Sequence, residues 1–104
     1  MSRMFPEKDW KMFRKKIVEW QEAYMDKLLH EYEEIIHEDT DPSDRFWKLN
    51  ERIRYDRKSS GVSVQMSRSN LLHNLCMLLD EGVISKEDLA DFSDELKETV
   101  NFLK

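Results

Sequence analysis

Between Pro6 and Pro42 the chain contains no glycine and no further proline. Nothing in that stretch stops a helix, and its apolar residues recur at helical spacing. Trp10, Phe13, Ile17, Trp20, Tyr24, Leu28, Tyr32 and Ile35 follow one another by three or four positions, so they share one continuous face. Pro6 suits a first helical position because it lacks an N–H. At 1.5 Å per residue such a helix is about 50 Å long. The alternative is a break near Glu19 to Glu22 that folds the chain back on itself.

The rest of the chain is punctuated just as sparsely. Two glycines and two prolines in 104 residues leave few turns, which argues against an all-β fold. The length is that of one domain. In "DTDPSDRFW" Asp41 can cap a helix, Pro42 fits its first turn and Asp44 lies three residues past the cap. This second helix carries Phe46, Leu49 and Ile53 on one face, with Trp47 beside them. It ends near "KSSGV", where Gly61 can take the left-handed conformation. Val62, Val64 and Met66 alternate with polar residues, which suits an extended segment. A third helix then starts between Ser63 and Ser69. "LLHNLCMLLDEG" is apolar on most sides and should be the most buried helix, stopped by Gly82. Ser85 caps the last one, with Asp88 three residues on and a stripe of Leu89, Phe92, Leu96, Val100 and Leu103. The expected fold is all-α: a single domain over 1–104, built as a four-helix antiparallel bundle with a long first helix. Its helices should lie near 6–38, 42–58, 66–81 and 86–103.

Charge is segregated along this pattern. Residues 1–16 carry six basic and two acidic side chains, and residues 17–44 carry one and ten. Residues 45–68 carry seven basic and two acidic, and residues 69–104 three and eight. The first helix is thus basic at its start (Lys8, Lys11, Arg14, Lys15, Lys16) and acidic at its end, the reverse of what the helix dipole favours. Pairing supplies a reason for the order. A second helix running back along the acidic half would set Arg45, Lys48, Arg52, Arg54, Arg57 and Lys58 against Glu22, Asp26, Glu33 and Glu34. Three shorter helices cover about half of the first, so its basic half should overhang with Trp10, Phe13, Ile17 and Trp20 uncovered. Burying such side chains is worth about 1.5–3 kcal/mol each. A homodimer through these four residues is therefore expected, each basic start lying against the partner's acidic end.

Chemistry-bearing patterns are weak. "LLDEGVISKEDL" has the rhythm of a calcium loop. With Gly82 as the loop glycine, however, the first, third and fifth positions are Met77, Leu79 and Glu81, which leave no oxygen cage. A glycine stop followed by a serine cap explains every residue of it. Glu34 and His37 form one E-x-x-H with His30 a turn earlier, but di-iron bundles need that motif twice; His73 has only Asn70 at that distance. Cys76, the single cysteine, excludes an internal disulfide and fits a reducing compartment. Set in "LLHNLCMLL" three residues after His73, it reads as a small core residue, since a nucleophilic thiol needs a basic or helix-start setting. No phosphate loop or serine-nucleophile elbow is present. No catalytic residue, metal site or cofactor is expected. "RFWKLNERIRYDRKSS" interleaves arginine with Trp47 and Tyr55 as nucleic-acid binders do, yet the chain is acidic, with a formal charge of −5. "MSRMFPEKDW" lacks a signal-peptide core, and the longest apolar run, "LCMLL", is far short of the about 20 residues that span a bilayer.

"DWKMFRKKIVEWQEAYMDKLLHEY" together with "DEGVISKEDLADFSDELKETV" resembles a group of short bacterial all-α proteins of unknown function, over nearly the whole chain. The resemblance implies a bacterial cytoplasmic protein and carries over no functional residue. The residues themselves suggest a protein–protein interaction or regulatory module acting as a homodimer on an unknown protein partner. A nucleic-acid-associated regulator using the basic second helix is the alternative, and a metal- or cysteine-dependent enzyme a more distant one.

Overall fold

The computed structural model describes residues 5–104; the first four residues, including Arg3 of the basic start, lie outside the described residues. It contains four α-helices: α1 Glu7–Ile36, α2 Pro42–Asp56, α3 Leu71–Asp80 and α4 Asp94–Leu103. Single 3-10 turns at Arg68–Asn70 and Lys86–Leu89 precede α3 and α4, and no strand occurs among the described residues. α1 runs unbroken through Glu19 to Glu22 for 30 residues, about 45 Å. It sets the long axis of a molecule measuring 53 × 26 × 23 Å. The radius of gyration, 16.8 Å, exceeds the about 13 Å of a compact domain of this length.

The elongation arises because α1 is covered by different elements along its length. α2 lies against its C-terminal half. As the chain advances from Arg45 to Ser60, its contacts move back along α1, from Ile36 through Glu31 to Gln21. The connection after α2 then crosses the middle of α1. Gln21 donates to the Ser60 carbonyl at 2.9 Å, and a Cβ on Gly61 would clash with the Tyr24 ring. Gly61 is therefore fixed by close approach and not by the left-handed turn its position suggested; only Gly82, at φ 72°, has a positive φ among the described residues.

From that crossing the chain continues toward the start of α1, and there the main core forms. Trp10, Phe13 and Ile17 pack with Leu71, Leu75 and Leu78 of α3, Ile84, Leu89 and Phe92 of the following turns, and Leu96 and Val100 of α4. This overturns the expected overhang. Trp10, Phe13 and Ile17 are buried and Trp20 is partly so, which leaves none of them as an open face. The three short helices do not lie side by side at one end; α3 and α4 occupy the half that α2 leaves free. The aromatic face is interior, and the basic residues around it (Lys8, Lys11, Arg14, Lys15) are solvated, with Lys16 3.7 Å from Asp91.

Two capping features order this end. Gly82 closes α3: Val83 N–H donates to the Leu78 carbonyl at 2.9 Å and Gly82 N–H to that of Leu79 at 3.2 Å, the two bonds of a glycine stop. Ile84 is then buried at the corner, in the core with Leu78 and Leu89. Asp88 accepts from the Ser85 N–H at 2.8 Å, but this box closes only the short turn Lys86–Leu89. The expected continuous helix over 86–103 is interrupted, and α4 starts afresh behind Ser93, whose hydroxyl accepts from Leu96 N–H at 3.2 Å. That hydroxyl also donates to Asp9 Oδ2 at 2.6 Å, and the Ser93 N–H to Oδ1 at 2.9 Å. A fully buried carboxylate in the first turn of α1 thus holds the start of α4.

Candidate functional site

The α1–α2 hairpin is joined by a polar seam. Arg52 donates to Glu31 at 2.6 Å and to Asp56 at 2.9 Å, while Tyr32 donates its hydroxyl to Asp56 at 2.6 Å. Arg45 donates to the Ile36 carbonyl at 2.7 Å, and Lys48 pairs with Glu38. The acidic partners are therefore Glu31 and Glu38, not the expected Glu22, Asp26, Glu33 and Glu34. Spacing explains the choice. Glu31 and Glu38 are seven apart and lie three residues after Leu28 and Ile35, the buried positions that turn toward α2. Of the six basic residues, Arg45 and Arg52 are committed to α1, and Lys48 to Glu38 just past its end. Arg54 is 3.9 Å from Glu51 on its own helix, and Arg57 and Lys58 are exposed.

Burial and the Asp56 carboxylate push the Tyr32 phenol up from 10.0 to about 12. The neutral phenol is the form the fold holds. Its contribution is complete below the unfolded value of about 10 and is lost as pH rises through the folded one. Tyr32 is half-exposed, so solvent screening reduces the energy involved. In an alkaline absorbance titration, one of the three tyrosines should ionise with a midpoint near 12. Tyr32→Phe should remove that late component. A titration complete near the ordinary value of about 10 would contradict the seam.

With Arg45, Arg52 and Asp56 bonded to α1, the aromatic and β-branched residues of α2 point elsewhere. Phe46, Trp47 and Ile53 are 64%, 62% and 38% exposed. On α1 the same holds for Leu29 at 59%, Ile36 at 44% and Val18 at 59%. These are not scattered. Leu29 and Ile36 are seven apart, as are Phe46 and Ile53, so each pair occupies one side of its helix. The two sides adjoin: Met25, Leu28, Leu29 and Tyr32 of α1 line one open groove of about 210 Å³ with Ile53 of α2 and Val62. That is smaller than the about 300–1,000 Å³ of a small-molecule site and suits single side chains. Sequence reading missed this face. The sequence places Phe46, Leu49 and Ile53 on one face without fixing which way it turns, and the second α1 series, Val18, Met25, Leu29 and Ile36, lies beside a stronger one. Its signal was present in spacings of seven, four and seven residues.

Charges border the face unequally. Glu22, Asp26 and Glu33, respectively seven before, three before and four after Leu29, line its α1 edge and are exposed. Arg57, four after Ile53, lines the groove on the α2 side, with exposed Arg54 beyond it. His30 sits on the acidic edge. The Asp26 backbone carbonyl, then the Asp26 and Glu33 carboxylates, hold its imidazole above the usual histidine value.

Elsewhere the chemistry is quiet. Among the described residues no group of three or more His, Cys, Asp or Glu side chains is placed to hold a metal ion. Burial pushes the Cys76 thiol up from its ordinary value, which makes the thiolate scarce at neutral pH. No helix among the described residues is long and apolar enough to cross a membrane. Comparison with protein-family models, with curated proteins and with solved structures gives no match, so what the chain does has to be read from its own surface.

Proposed function

We propose that this protein works by binding another protein chain rather than by catalysis, and that the uncovered side of the α1–α2 hairpin is its docking face. In this reading the helices form an elongated antiparallel bundle. Its core series, Trp10, Phe13, Ile17 and Trp20, is scaffold, and the working end is the hairpin. One observation carries the reading: Leu29 and Ile53 line one open groove between the two helices, and Ile36 and Phe46, seven positions from them on the same sides of their helices, are exposed. Adjoining apolar side chains of this size, rimmed by charge, mark protein contact sites. The heptad spacing on both helices suits an amphipathic helical surface as the ligand, its side chains entering the groove.

A nucleic-acid role draws less support. Trp47 and Tyr55 are exposed, as are Arg54 and Lys58, but Arg45 and Arg52 are engaged with α1 and Lys48 with Glu38. The reading is tested by placing a photo-crosslinking side chain at Leu29 or Phe46 of the full chain in its native cells, with exposed Lys15 and Glu98 as control sites. Discrete protein adducts at the first two positions and none at the controls are expected. Absence of adducts at Leu29 and Phe46, or equal labelling everywhere, would overturn it.

A further inference from the structure

We infer that the occupant of this face is a second copy of the same chain, laid over the first about a two-fold axis parallel to the hairpin. The inference rests on the protein-binding reading above and adds the identity of the partner and its orientation.

The face is self-complementary. Its middle is apolar, its α1 edge carries Glu22, Asp26 and Glu33, and its α2 edge carries Arg57 and Arg54. None of these five is used in holding α1 to α2, whose pairs are Arg52 with Glu31 and Lys48 with Glu38. Two copies meeting face to face have two simple ways to close. With the axis across the helices, α1 lies on the partner's α1, and three carboxylates oppose three carboxylates. With the axis along the helices, α1 lies on the partner's α2. Each acidic edge then meets a basic one, twice per dimer by symmetry. The levels also agree. Glu31 contacts Arg52 and Gln21 contacts Ser60, so Arg54 and Arg57 lie along the same stretch of the long axis as Glu22 to Glu33. Opposite charge across such a rim sets the register and suppresses the wrong orientation. Leu29, Ile36, Phe46 and Ile53 of both copies then enclose one apolar seam, and the two hairpins make a four-helix arrangement that neither makes alone.

The purified full chain is weighed by light scattering or sedimentation across the micromolar range, in low and high salt. Wild type should show twice the chain mass of 12.6 kDa, with association weakening as salt rises. Replacing Arg54 and Arg57 together by Glu should weaken association about tenfold or more, because like charges then face each other. Asp26→Lys with Glu33→Lys should do the same. Mixing the two double variants should restore a dimer, since each acidic edge again meets a basic one. All these positions are exposed, so far-ultraviolet circular dichroism should stay unchanged and separate lost association from lost fold. A wild-type mass of one chain throughout, reversals without effect, or association that tightens with salt would overturn the inference. A monomer in solution that still forms adducts with a different protein at Leu29 in cells would sink the second copy and leave the docking face standing.

Discussion

Phe13→Ala is expected to remove about 3–5 kcal/mol of stability, the range for emptying a buried aromatic site. For a chain of this length that is at least about a fifth of a total near 5–15 kcal/mol. Phe13 is fully buried, with its ring between two indoles: Trp10 stacks at 6.2 Å and Trp20 meets it edge-on at 6.3 Å. Trp20 in turn stacks on Phe92 at 6.4 Å. Through Trp20 this series of rings links α1 to the segment before α4. Phe46→Ala, the same chemical change at a position 64% exposed, should stay within about 0.5 kcal/mol when the chain is monomeric. Urea midpoints of the two variants, measured at high salt, make the comparison. Were the aromatic series Trp10, Phe13, Ile17 and Trp20 an intermolecular surface, the order would reverse. A Phe13→Ala chain as stable as wild type would refute the core described above.

How far the sequence discloses this architecture depends on which interactions are local. α1 was legible because three- and four-residue spacing and the lack of Gly or Pro both act within one helix. The Gly82 stop and the Ser85 turn were legible for the same reason. The overhang was misjudged because deciding which half of α1 each short helix covers requires the path of residues 57–70. That path is fixed by Gln21 on Ser60 and Tyr24 on Gly61, contacts about forty residues apart that no local pattern announces. The same gap hid the docking face. On α2 the apolar residues Phe46 and Ile53 look like the inward set. The residues that engage α1 are in fact Arg45, Arg52 and Asp56, which the Ile36 carbonyl, Glu31 and Tyr32 draw into a polar seam. The charge order pointed at the right helix pair but at the wrong acidic residues, since like spacing recurs every turn along α1.

Asp9→Ala should cost about 1.5–3 kcal/mol, the worth of hydrogen bonds to a charged acceptor. The local sequence gives no hint of it, as Asp9 lies in a basic, exposed-looking turn. Its carboxylate is fully buried and accepts both the N–H and the hydroxyl of Ser93, 84 positions away. Removing it strands both donors at a half-buried helix start. Ser93→Ala should cost about 1 kcal/mol or more, because the cap on Leu96 N–H goes with it. The two changes share one interaction, so the double variant should lose clearly less than the sum. Asp9→Asn keeps an acceptor for the Ser93 N–H and should fall between wild type and Asp9→Ala. Hydrogen exchange adds where the loss is felt. Amides of α4 should open more readily than those of α2, because the carboxylate holds the former and touches nothing near the latter. Strictly additive losses, or equal loosening of α2 and α4, would mean that Asp9 does not hold α4 in place. The break at Ala90 to Ser93 would then need another cause than this buried bridge.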